Sequence, residues 1–541
     1  MSTAAIERRA FREAATVGPA LAITAAAAFL LARLAPDVAS KPLHEDEAVA
    51  GLISARPIGD VLHTVVLDRG GAPLHFVLAH VALALDSSPD ALRWLSVVFA
   101  LVTVPLCYDL ARRLSGDFAG LTAAGLAAMS QLLAVYGTFG RMYSLFALTS
   151  ALAADLFLRA LERPERRTAL AAAAASLLPL AVHPFGAFLF AAEVVVAAWL
   201  WRARSPRTAL PVIGVGLLAL PLLFADLRLS NRYALEAGKN LDSGTSVGDA
   251  ALRAFGGAAG GKGAALVLFV LLASVGAFAL GRHRGAAAAF VGLAITVPPI
   301  ALAIAGAAGA VSDRLGPRHL IYTLPLWIGL VATGVSSIGA LFPFRARMAI
   351  LVAVVVAAAL APSAVSEPRT MPMGDEHAVA GPARWLRAHI SSGDVLYPYS
   401  PVFLAALPAA AQARGYSREP VALARAARRT DDVPTVFVSL PLRKPINSST
   451  DPGADVHVHV FGSWLILEVH GPFPDGTSAL AATAHMLEET GPLVATAASN
   501  ARPYLEQIHG AACAALARLG SPCYAVATST EGTSPQRSSR R

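Results

Sequence analysis

Long apolar segments, separated by short polar or basic loops, follow one another from residue 17 to residue 365. A hydrocarbon core of about 30 Å requires roughly 20 apolar residues per helix, and these segments are close to that length. The pattern therefore predicts eleven transmembrane helices, at approximately 17–34, 92–110, 118–136, 142–161, 168–182, 185–201, 208–226, 264–281, 285–307, 319–341 and 348–365.

One further apolar segment, 73–85, is too short to span a membrane comfortably. It predicts an amphipathic helix that lies in the membrane interface without crossing. If it crossed, every basic loop after it would move to the other side of the membrane.

The basic residues between the apolar segments predict the orientation of the chain. Lys and Arg collect on the cytoplasmic side of membrane proteins. Each basic loop is separated from the next by two apolar segments, and the loops lie at 112–113, 163–167, 202–207, 282–284 and 345–347. With Arg8, Arg9 and Arg12, these loops place the N-terminus in the cytoplasm, and residues 36–91 then form a long first external loop.

The pattern changes after residue 365, where charged turns, alternating strands and amphipathic helices replace the apolar segments. Buried strands are predicted at 394–399 and 435–440, a hairpin at 455–470, and helices at 479–489 and 503–519. Cys513 and Cys523 could pair if this part is extracytoplasmic. The Ser/Thr/Arg-rich tail, 528–541, is predicted to be disordered.

The sequence thus predicts an α-helical polytopic membrane protein with about 11 transmembrane helices in residues 1–365. A C-terminal extracytoplasmic α/β domain occupies residues 366–527. The expected location is the plasma membrane, with the N-terminus cytoplasmic and the C-terminal domain outside.

Composition agrees with this assignment, since 55% of the 541 residues are hydrophobic, which excludes an ordinary soluble enzyme. The net charge of +8 does not indicate nucleic acid, because most Lys and Arg residues of the membrane part lie in short loops. Membrane lipids are therefore the expected partners of the basic residues.

Three consecutive carboxylates, in the segment His44-Glu45-Asp46-Glu47, stand out in a chain of which only 15% is charged. They follow the first predicted span closely and lie on its external side. One interpretation is a cluster with a chemical role. The other is structural, because acidic residues near a helix N-terminus complement the helix dipole.

Four stretches resemble motifs of the polyprenyl-phosphate-sugar-dependent glycosyltransferases of the GT-C fold. The chain is similar to bacterial relatives of the protein O-mannosyltransferases and to the lipid A aminoarabinose transferase over about residues 10–365. The stretches are Asp46-Glu47-Ala48, Gly70-Gly71-Ala72-Pro73-Leu74-His75-Phe76, Gly140-Arg141-Met142-Tyr143-Ser144-Leu145 and Pro317-Arg318-His319-Leu320-Ile321-Tyr322-Thr323-Leu324-Pro325. Two positions depart from the family pattern, with Phe139 where many relatives carry Glu and His319 where they carry Tyr.

The resemblance implies a GT-C-like catalytic membrane domain that moves a sugar from a polyprenyl-phosphate donor to an acceptor hydroxyl. A carboxylate can take the proton of the acceptor, and arginine binds a phosphate in fixed geometry. It implies that Asp46 is the general base and that Glu47 orients the acceptor or the partners of Asp46. The candidate substrate-binding residues are Arg141, Tyr143, Arg318, His319, Arg69, His183 and Lys262.

The acceptor is expected to be a glycan, a lipid or a protein. No cofactor is predicted with certainty, although a divalent cation is compatible with the chemistry. A multi-span transporter or lipid flippase is the leading alternative, and a non-catalytic assembly scaffold is another. Transporters usually carry ionisable residues at mid-membrane and repeated halves, whereas here charges collect at the membrane faces and no internal repeat is evident.

Histidines of the C-terminal part offer one candidate metal site. His457 and His459 alternate along a predicted strand, so that both point to one face, and His470 follows nearby. The simpler interpretation is a solvated polar face of a half-buried strand. We therefore assign no metal ligands from the sequence.

Overall fold

The computed structural model describes most of the membrane part and the centre of the C-terminal part. The described residues are 3–41, 44–63, 65, 72–88, 90–203, 213–214, 217, 219–220, 245–307, 314–365, 377–390, 394–398, 431–441, 456–462, 464–489, 509–510, 512–514, 516–517, 519–520 and 522–523. The chain forms two compact units, Met1–Lys41 with Ile53–Glu367, and Pro42–Leu52 with Pro368–Arg541.

Helices make up nearly all of the part of the first unit that the structure describes. In chain order, the helices of the described chain are α1 Thr3–Ser40, α2 Glu45–Ser54, α3 Ile58–His63, α4 Leu74–Leu85, α5 Asp90–Ser115, α6 Asp117–Met129, α7 Gln131–Gly137, α8 Tyr143–Glu162, α9 Arg166–Val182, α10 Gly186–Ala203, α11 Val247–Ala258, α12 Ala264–His283, α13 Gly285–Ala307, α14 Leu324–Gly339, α15 Phe344–Leu360, α16 His377–His389 and α17 Gly476–Glu489. A 3₁₀ helix, Pro317–Thr323, directly precedes α14.

Each predicted span contains helical residues where the structure describes it, although Ser130 interrupts the span at 118–136 and residues 361–365, the end of the last span, are not helical. Among the described residues, six helices are long and apolar enough to cross a membrane, and α6 with α7, bent by 50°, would be a seventh. Three other predicted spans correspond to α9, α10 and α15, of 17, 18 and 17 residues. The predicted span at 208–226 lies almost wholly outside the described residues. The count of eleven therefore stays a prediction.

The predicted interfacial segment is helix α4, of 12 residues. At 1.5 Å per residue it is roughly 18 Å long, which is too short for a hydrocarbon core of about 30 Å. The helix itself is confirmed, and its position in the membrane interface stays a prediction.

Close helix packing in the first unit depends on small residues. Helices α12 and α14 approach each other through Gly276 and Gly334. A Cβ on Gly276 would lie 2.0 Å from the Leu330 carbonyl oxygen, and one on Gly334 would lie 1.9 Å from that of Leu272. Only glycine allows this backbone contact, and membrane helices commonly associate in this way because lipid supplies no hydrophobic drive between them.

The C-terminal ends of α5, α8 and α12 meet in a network of ion pairs. Arg113 binds Asp155, which is 1% exposed, and also reaches Asp109 at 3.2 Å and Glu162 at 3.2 Å. Arg284, just after α12, lies 2.6 Å from Glu162. Because α8 has 20 residues, roughly 30 Å separates this network from the N-terminal end of that helix. The two ends of the bundle therefore differ in chemistry.

The second unit contains a four-stranded sheet. Its strands are β3 Val395–Pro398, β4 Asp431–Pro441, β5 Val456–Phe461 and β6 Trp464–Asp475, in the order β3-β4-β6-β5. The β3–β4 pair is parallel and the others are antiparallel. Helix α16 packs on the sheet through a core that includes Leu386, Phe437, Trp464 and Ile466, and Leu52 of α2 joins this core.

These elements match the α/β prediction for the C-terminal part. The predicted strands and the hairpin are present, and α17 corresponds to the helix predicted at 479–489. Of the helix predicted at 503–519, residues 509–510, 512–514 and 516–517 are described, and all are helical. Cys513 and Cys523 form a disulfide. The tail predicted to be disordered lies outside the described residues.

Candidate functional site

A short turn between α7 and α8 carries Arg141, at the end of the bundle opposite the ion-pair network. Two serines fix this turn. The hydroxyl of Ser96 donates to the Phe139 carbonyl oxygen at 2.7 Å, and that of Ser144 donates to the Tyr136 carbonyl oxygen at 2.5 Å. The backbone before α8 is therefore anchored to α5 as well as to its own helix.

Tyr143, the first residue of α8, lies in a cluster of aromatic side chains. Its ring stacks on Phe139 with centroids 6.0 Å apart, and it lies 5.2 Å from Tyr136. The guanidinium carbon of Arg318 lies 5.8 Å from the centroid of the Tyr143 ring. This is within the range of a cation–π interaction. His319 lies 6.5 Å from the same ring.

Arg318 and His319 belong to the 3₁₀ helix Pro317–Thr323. The backbone N–H of Gly316 donates to Nδ1 of His319 at 3.1 Å, which caps the start of this helix. Just before it, β2 (Arg314–Leu315) pairs with β1 (Thr245–Ser246) in a short antiparallel ladder. The segment that carries Arg318 is thus fixed at its N-terminal end.

His183 follows α9 and joins the same cluster. It is 7% exposed, stacks on Phe146 with centroids 5.0 Å apart, and lies 5.9 Å from His319. Its Nδ1 accepts a hydrogen bond from the backbone N–H of Phe185 at 3.1 Å. The proton of the neutral ring is therefore on Nε2.

Burial, together with the positive charges of Arg141 and Arg318, lowers the pKa of His183 to about 3. Both effects disfavour the imidazolium form. The ring is neutral at ordinary pH, so it can donate a hydrogen bond from Nε2 to a ligand without adding charge.

His75, the second residue of α4, was given no role by the sequence. Its side chain is completely buried, and burial together with the charge of Arg141 lowers its pKa to about 3. Neither ring nitrogen has a hydrogen-bond partner among the described residues. Arg141 is therefore accompanied by two buried neutral imidazoles, His75 and His183.

The candidate carboxylates lie at the start of α2, in the second unit. The backbone N–H of His44 donates to the carboxylate of Glu47 at 2.9 Å, and the backbone N–H of Asp46 donates to Nδ1 of His44 at 3.0 Å. These two bonds cap the start of α2, and Glu47 reaches back to the N-cap backbone as the third helical residue of a capping box does. Glu47 is 2% exposed, whereas Asp46 is partly exposed. The structural interpretation of the acidic segment therefore applies to Glu47, and its predicted role with the acceptor stays a prediction.

The other sequence candidates are less informative. Lys262 is exposed between Gly261 and Gly263, both of which have positive φ, and it does not join the aromatic cluster among the described contacts. Arg69 lies outside the described residues.

His509 has its ring within 4.8 Å of the sulfurs of Cys513 and Cys523. This grouping could bind a metal only with the disulfide open.

Comparison with known proteins gives matches in family and in fold. Residues 70–227 match the model of the dolichyl-phosphate-mannose-protein mannosyltransferase family. This range includes Arg141, Tyr143 and His183, but neither Asp46 nor Arg318. A search of curated proteins gives no match.

Two similar crystal structures are those of ArnT from Cupriavidus metallidurans. The apo structure has a TM-score of 0.54 and 12% identity, and the structure bound to undecaprenyl phosphate has a TM-score of 0.53 and 12% identity. Each comparison covers 85% of this chain and 100% of ArnT. The structure of the oligosaccharyltransferase of Archaeoglobus fulgidus in complex with Zn and sulfate has 13% identity and a TM-score of 0.47. That match covers 78% of this chain and 68% of the oligosaccharyltransferase chain.

The helical bundle and the small sheet resemble one crystallised protein along its whole length, and residues 70–227 independently match a glycosyltransferase family. The chain is a multi-pass membrane protein with the GT-C fold of the polyprenyl-phosphate-sugar glycosyltransferases.

Proposed function

We propose that this protein is an integral-membrane glycosyltransferase that moves a sugar from a polyprenyl-phosphate donor to an extracytoplasmic acceptor. The fold supports the reaction class, because ArnT has this fold and has been crystallised with undecaprenyl phosphate. The choice among glycan, lipid and protein acceptors, and between a hexose and a pentose, is left to experiment.

One observation carries the proposal. Arg141 and Arg318 both lie near enough to the buried ring of His183 to depress its pKa, and Arg318 also lies over the face of Tyr143. Two guanidinium groups thus lie beside buried neutral rings at one end of the bundle. A phosphate accepts the paired N–H groups that a guanidinium presents.

The proposed chemistry is a displacement at the anomeric carbon of the donor sugar. Asp46 takes the proton of the acceptor hydroxyl while the acceptor oxygen bonds to the anomeric carbon. The bond from that carbon to the phosphate oxygen breaks, and polyprenyl phosphate leaves with the electron pair. Arg141 and Arg318 stabilise the charge that develops on this leaving group. His183 donates from Nε2 to a sugar or phosphate oxygen.

The function is tested with the purified full-length protein in lipid nanodiscs, offered polyprenyl-phosphate sugars and a membrane extract as the source of acceptor. Release of polyprenyl phosphate with transfer of the sugar is the expected result. Asp46→Asn keeps the shape of the side chain but removes the base, so the rate should fall by about 10²–10⁴-fold while donor binding persists. Near-normal transfer by this variant contradicts the role of Asp46. Movement of intact donor across liposomes without cleavage would instead identify a flippase.

We also propose that the N-terminus is cytoplasmic and that the second unit is extracytoplasmic. The positions of the basic loops support this orientation. Ile390→Cys should react with an impermeant maleimide in intact cells, and Glu165→Cys, in a predicted cytoplasmic loop, should react only after permeabilisation. Of the native cysteines, Cys107 is buried and the other two are joined, which limits the background. The opposite labelling pattern would reverse the topology.

A further inference from the structure

Helices α9 and α10 form a hairpin that carries His183 at its tip. The backbone N–H of His183 donates to the Pro179 carbonyl oxygen at 2.9 Å, and that of Gly186 donates to the His183 carbonyl oxygen at 2.9 Å. The chain closes tightly here, since a Cβ on Gly186 would lie 2.5 Å from the carbonyl carbon of Pro179. The position of His183 therefore depends on how α9 and α10 pack.

One ionisable side chain, that of Glu193, connects the two helices of this hairpin. Glu193 lies in α10 and is completely buried, so it is an exception to the charges that collect at the membrane faces. Its Oε2 atom lies within hydrogen-bond distance of the hydroxyl of Ser176, in α9. At 1.5 Å per residue, Ser176 and Glu193 both lie roughly 10 Å along their helices from the tip. The contact is therefore well inside the membrane part.

The hydrogen bonds of Ser176 indicate the protonation state of Glu193. A serine hydroxyl has one proton to donate. The Ser176 hydroxyl lies 2.8 Å from the Ala172 carbonyl oxygen and donates to it, as serines within helices commonly do. Because this bond uses the only hydroxyl proton, the contact with Glu193 needs a proton from the carboxyl group. Glu193 is then a carboxylic acid whose O–H donates to Ser176.

The surroundings of Glu193 favour the same neutral form. Its other oxygen, Oε1, is buried without a hydrogen-bond partner, and none of the ion pairs of the described chain includes this carboxyl group. An unpaired carboxylate in an apolar interior is far more costly than the neutral acid. Val195 and Trp199, on the outer face of α10, are 53% and 54% exposed. The acid therefore faces α9 and not the lipid.

We propose that Glu193 is a positioning residue of the transfer reaction, which as a neutral acid bonds Ser176 and holds the α9–α10 hairpin so that His183 meets the donor. This inference rests on the proposed function, in which Nε2 of His183 donates to a sugar or phosphate oxygen. The bond between the two helices lies at a depth where water offers no replacement partner. Without it the helices can shift, and His183 moves with them.

Infrared spectroscopy of the full-length protein in lipid nanodiscs tests the protonation state. The carbonyl stretch of a carboxylic acid is separate from that of a carboxylate, so the wild type at neutral pH should show an acid band that Glu193→Gln lacks. Gln places an amide N–H donor where the acid has its O–H, so transfer by this variant should stay within about twofold of the wild type.

Two results of this comparison would overturn the proposal. One is the absence of the acid band from the wild type. The other is loss of transfer in Glu193→Gln with an unchanged unfolding temperature, because the ionisable proton itself would then be required.

A double-mutant cycle with His183 tests the positioning role. Glu193→Leu and Ser176→Ala should each lower the rate of sugar transfer by about 2- to 10-fold, which corresponds to one neutral hydrogen bond to the donor. Ser176→Ala is the milder change and keeps the test available if Glu193→Leu does not fold. Ser274→Ala, in α12, is the matched control, because the described bond of Ser274 is to Val270 of its own helix at 2.8 Å. Its rate should be unchanged.

In a His183→Phe background, Glu193→Leu and Ser176→Ala should cause no further loss, because both act through His183. A general structural role would lower transfer equally in both backgrounds, and that additive result would overturn the proposal. The infrared result does not depend on sugar transfer. A wild type that shows the acid band but transfers no sugar contradicts the proposed function, and with it the positioning role. Transfer by a wild type without the band contradicts only the role of Glu193.

Discussion

Arg318 offers the sharpest test of donor binding. Its guanidinium lies over Tyr143, and the capped 3₁₀ helix fixes its backbone. A hydrogen bond to a charged group contributes about 1.5–3 kcal/mol. Because 1.4 kcal/mol corresponds to a factor of ten, Arg318→Ala should weaken the binding of undecaprenyl phosphate by about 10- to 150-fold. Arg318→Lys keeps the charge but loses the planar pair of donors, so an intermediate loss is expected.

The stability of the same variant should change little. Among the described contacts, Arg318→Ala removes the cation–π interaction with Tyr143, which contributes about 0.5–1 kcal/mol at a partly exposed site. A variant with a normal unfolding temperature and weak ligand binding therefore reports on the phosphate contact and not on a damaged fold.

The assay measures the shift in unfolding temperature with increasing undecaprenyl phosphate, and undecaprenol serves as the ligand without phosphate. Arg253→Ala is the matched control, because the described ion pair of Arg253, in α11, is with Asp249 at 3.0 Å and not with the aromatic cluster. If Arg318→Ala binds undecaprenyl phosphate within threefold of the wild type, the phosphate role is refuted. Equal binding of undecaprenol to the wild type would refute it as well.

Three further predictions concern stability. Glu47→Ala removes the carboxylate that caps α2 and should lower the free energy of unfolding by about 1 kcal/mol in chemical denaturation. An unchanged free energy of unfolding would argue against the cap. His183 remains neutral when folded but takes up a proton on unfolding below its ordinary pKa of about 6.5, so stability is lost as the pH falls. The loss from this residue is about 2 kcal/mol between pH 7 and pH 5, and His183→Phe should show a weaker acid dependence of the unfolding temperature than the wild type. Asp155→Ala leaves Arg113 without its most buried partner, so the free energy of unfolding in denaturant titration should fall by up to about 3 kcal/mol. A fall below about 0.5 kcal/mol would show that Asp109 and Glu162 are sufficient partners for Arg113.

The hydrophobic pattern predicted most of the described membrane helices and the strands of the C-terminal sheet, but not α3, α11, α16 or the β1–β2 ladder. In a membrane every backbone polar group must be satisfied within the segment, so a long apolar run has to become a helix. The alternation of Val and His at 456–460 likewise predicted a strand. The sequence allowed Cys513 and Cys523 to pair only on the condition that the C-terminal part is extracytoplasmic, and the structure has this disulfide. The sequence could single out Arg141, Tyr143 and Arg318 as candidate substrate-binding residues. The order and spacing of the family's motifs are kept in this chain even at low identity.

Tertiary structure decided which of these residues meet. Tyr143, His183 and Arg318 come from three separate helices or turns, and their approach depends on how those helices pack. The same holds for Glu468, which reaches His459 and His470 only in one hairpin register, and for Ser96, which fixes the turn of Arg141 from another helix. The sequence indicates local structure because backbone and solvent act on each segment separately. Contacts between distant segments arise from the packing of whole elements, and no local pattern contains that information.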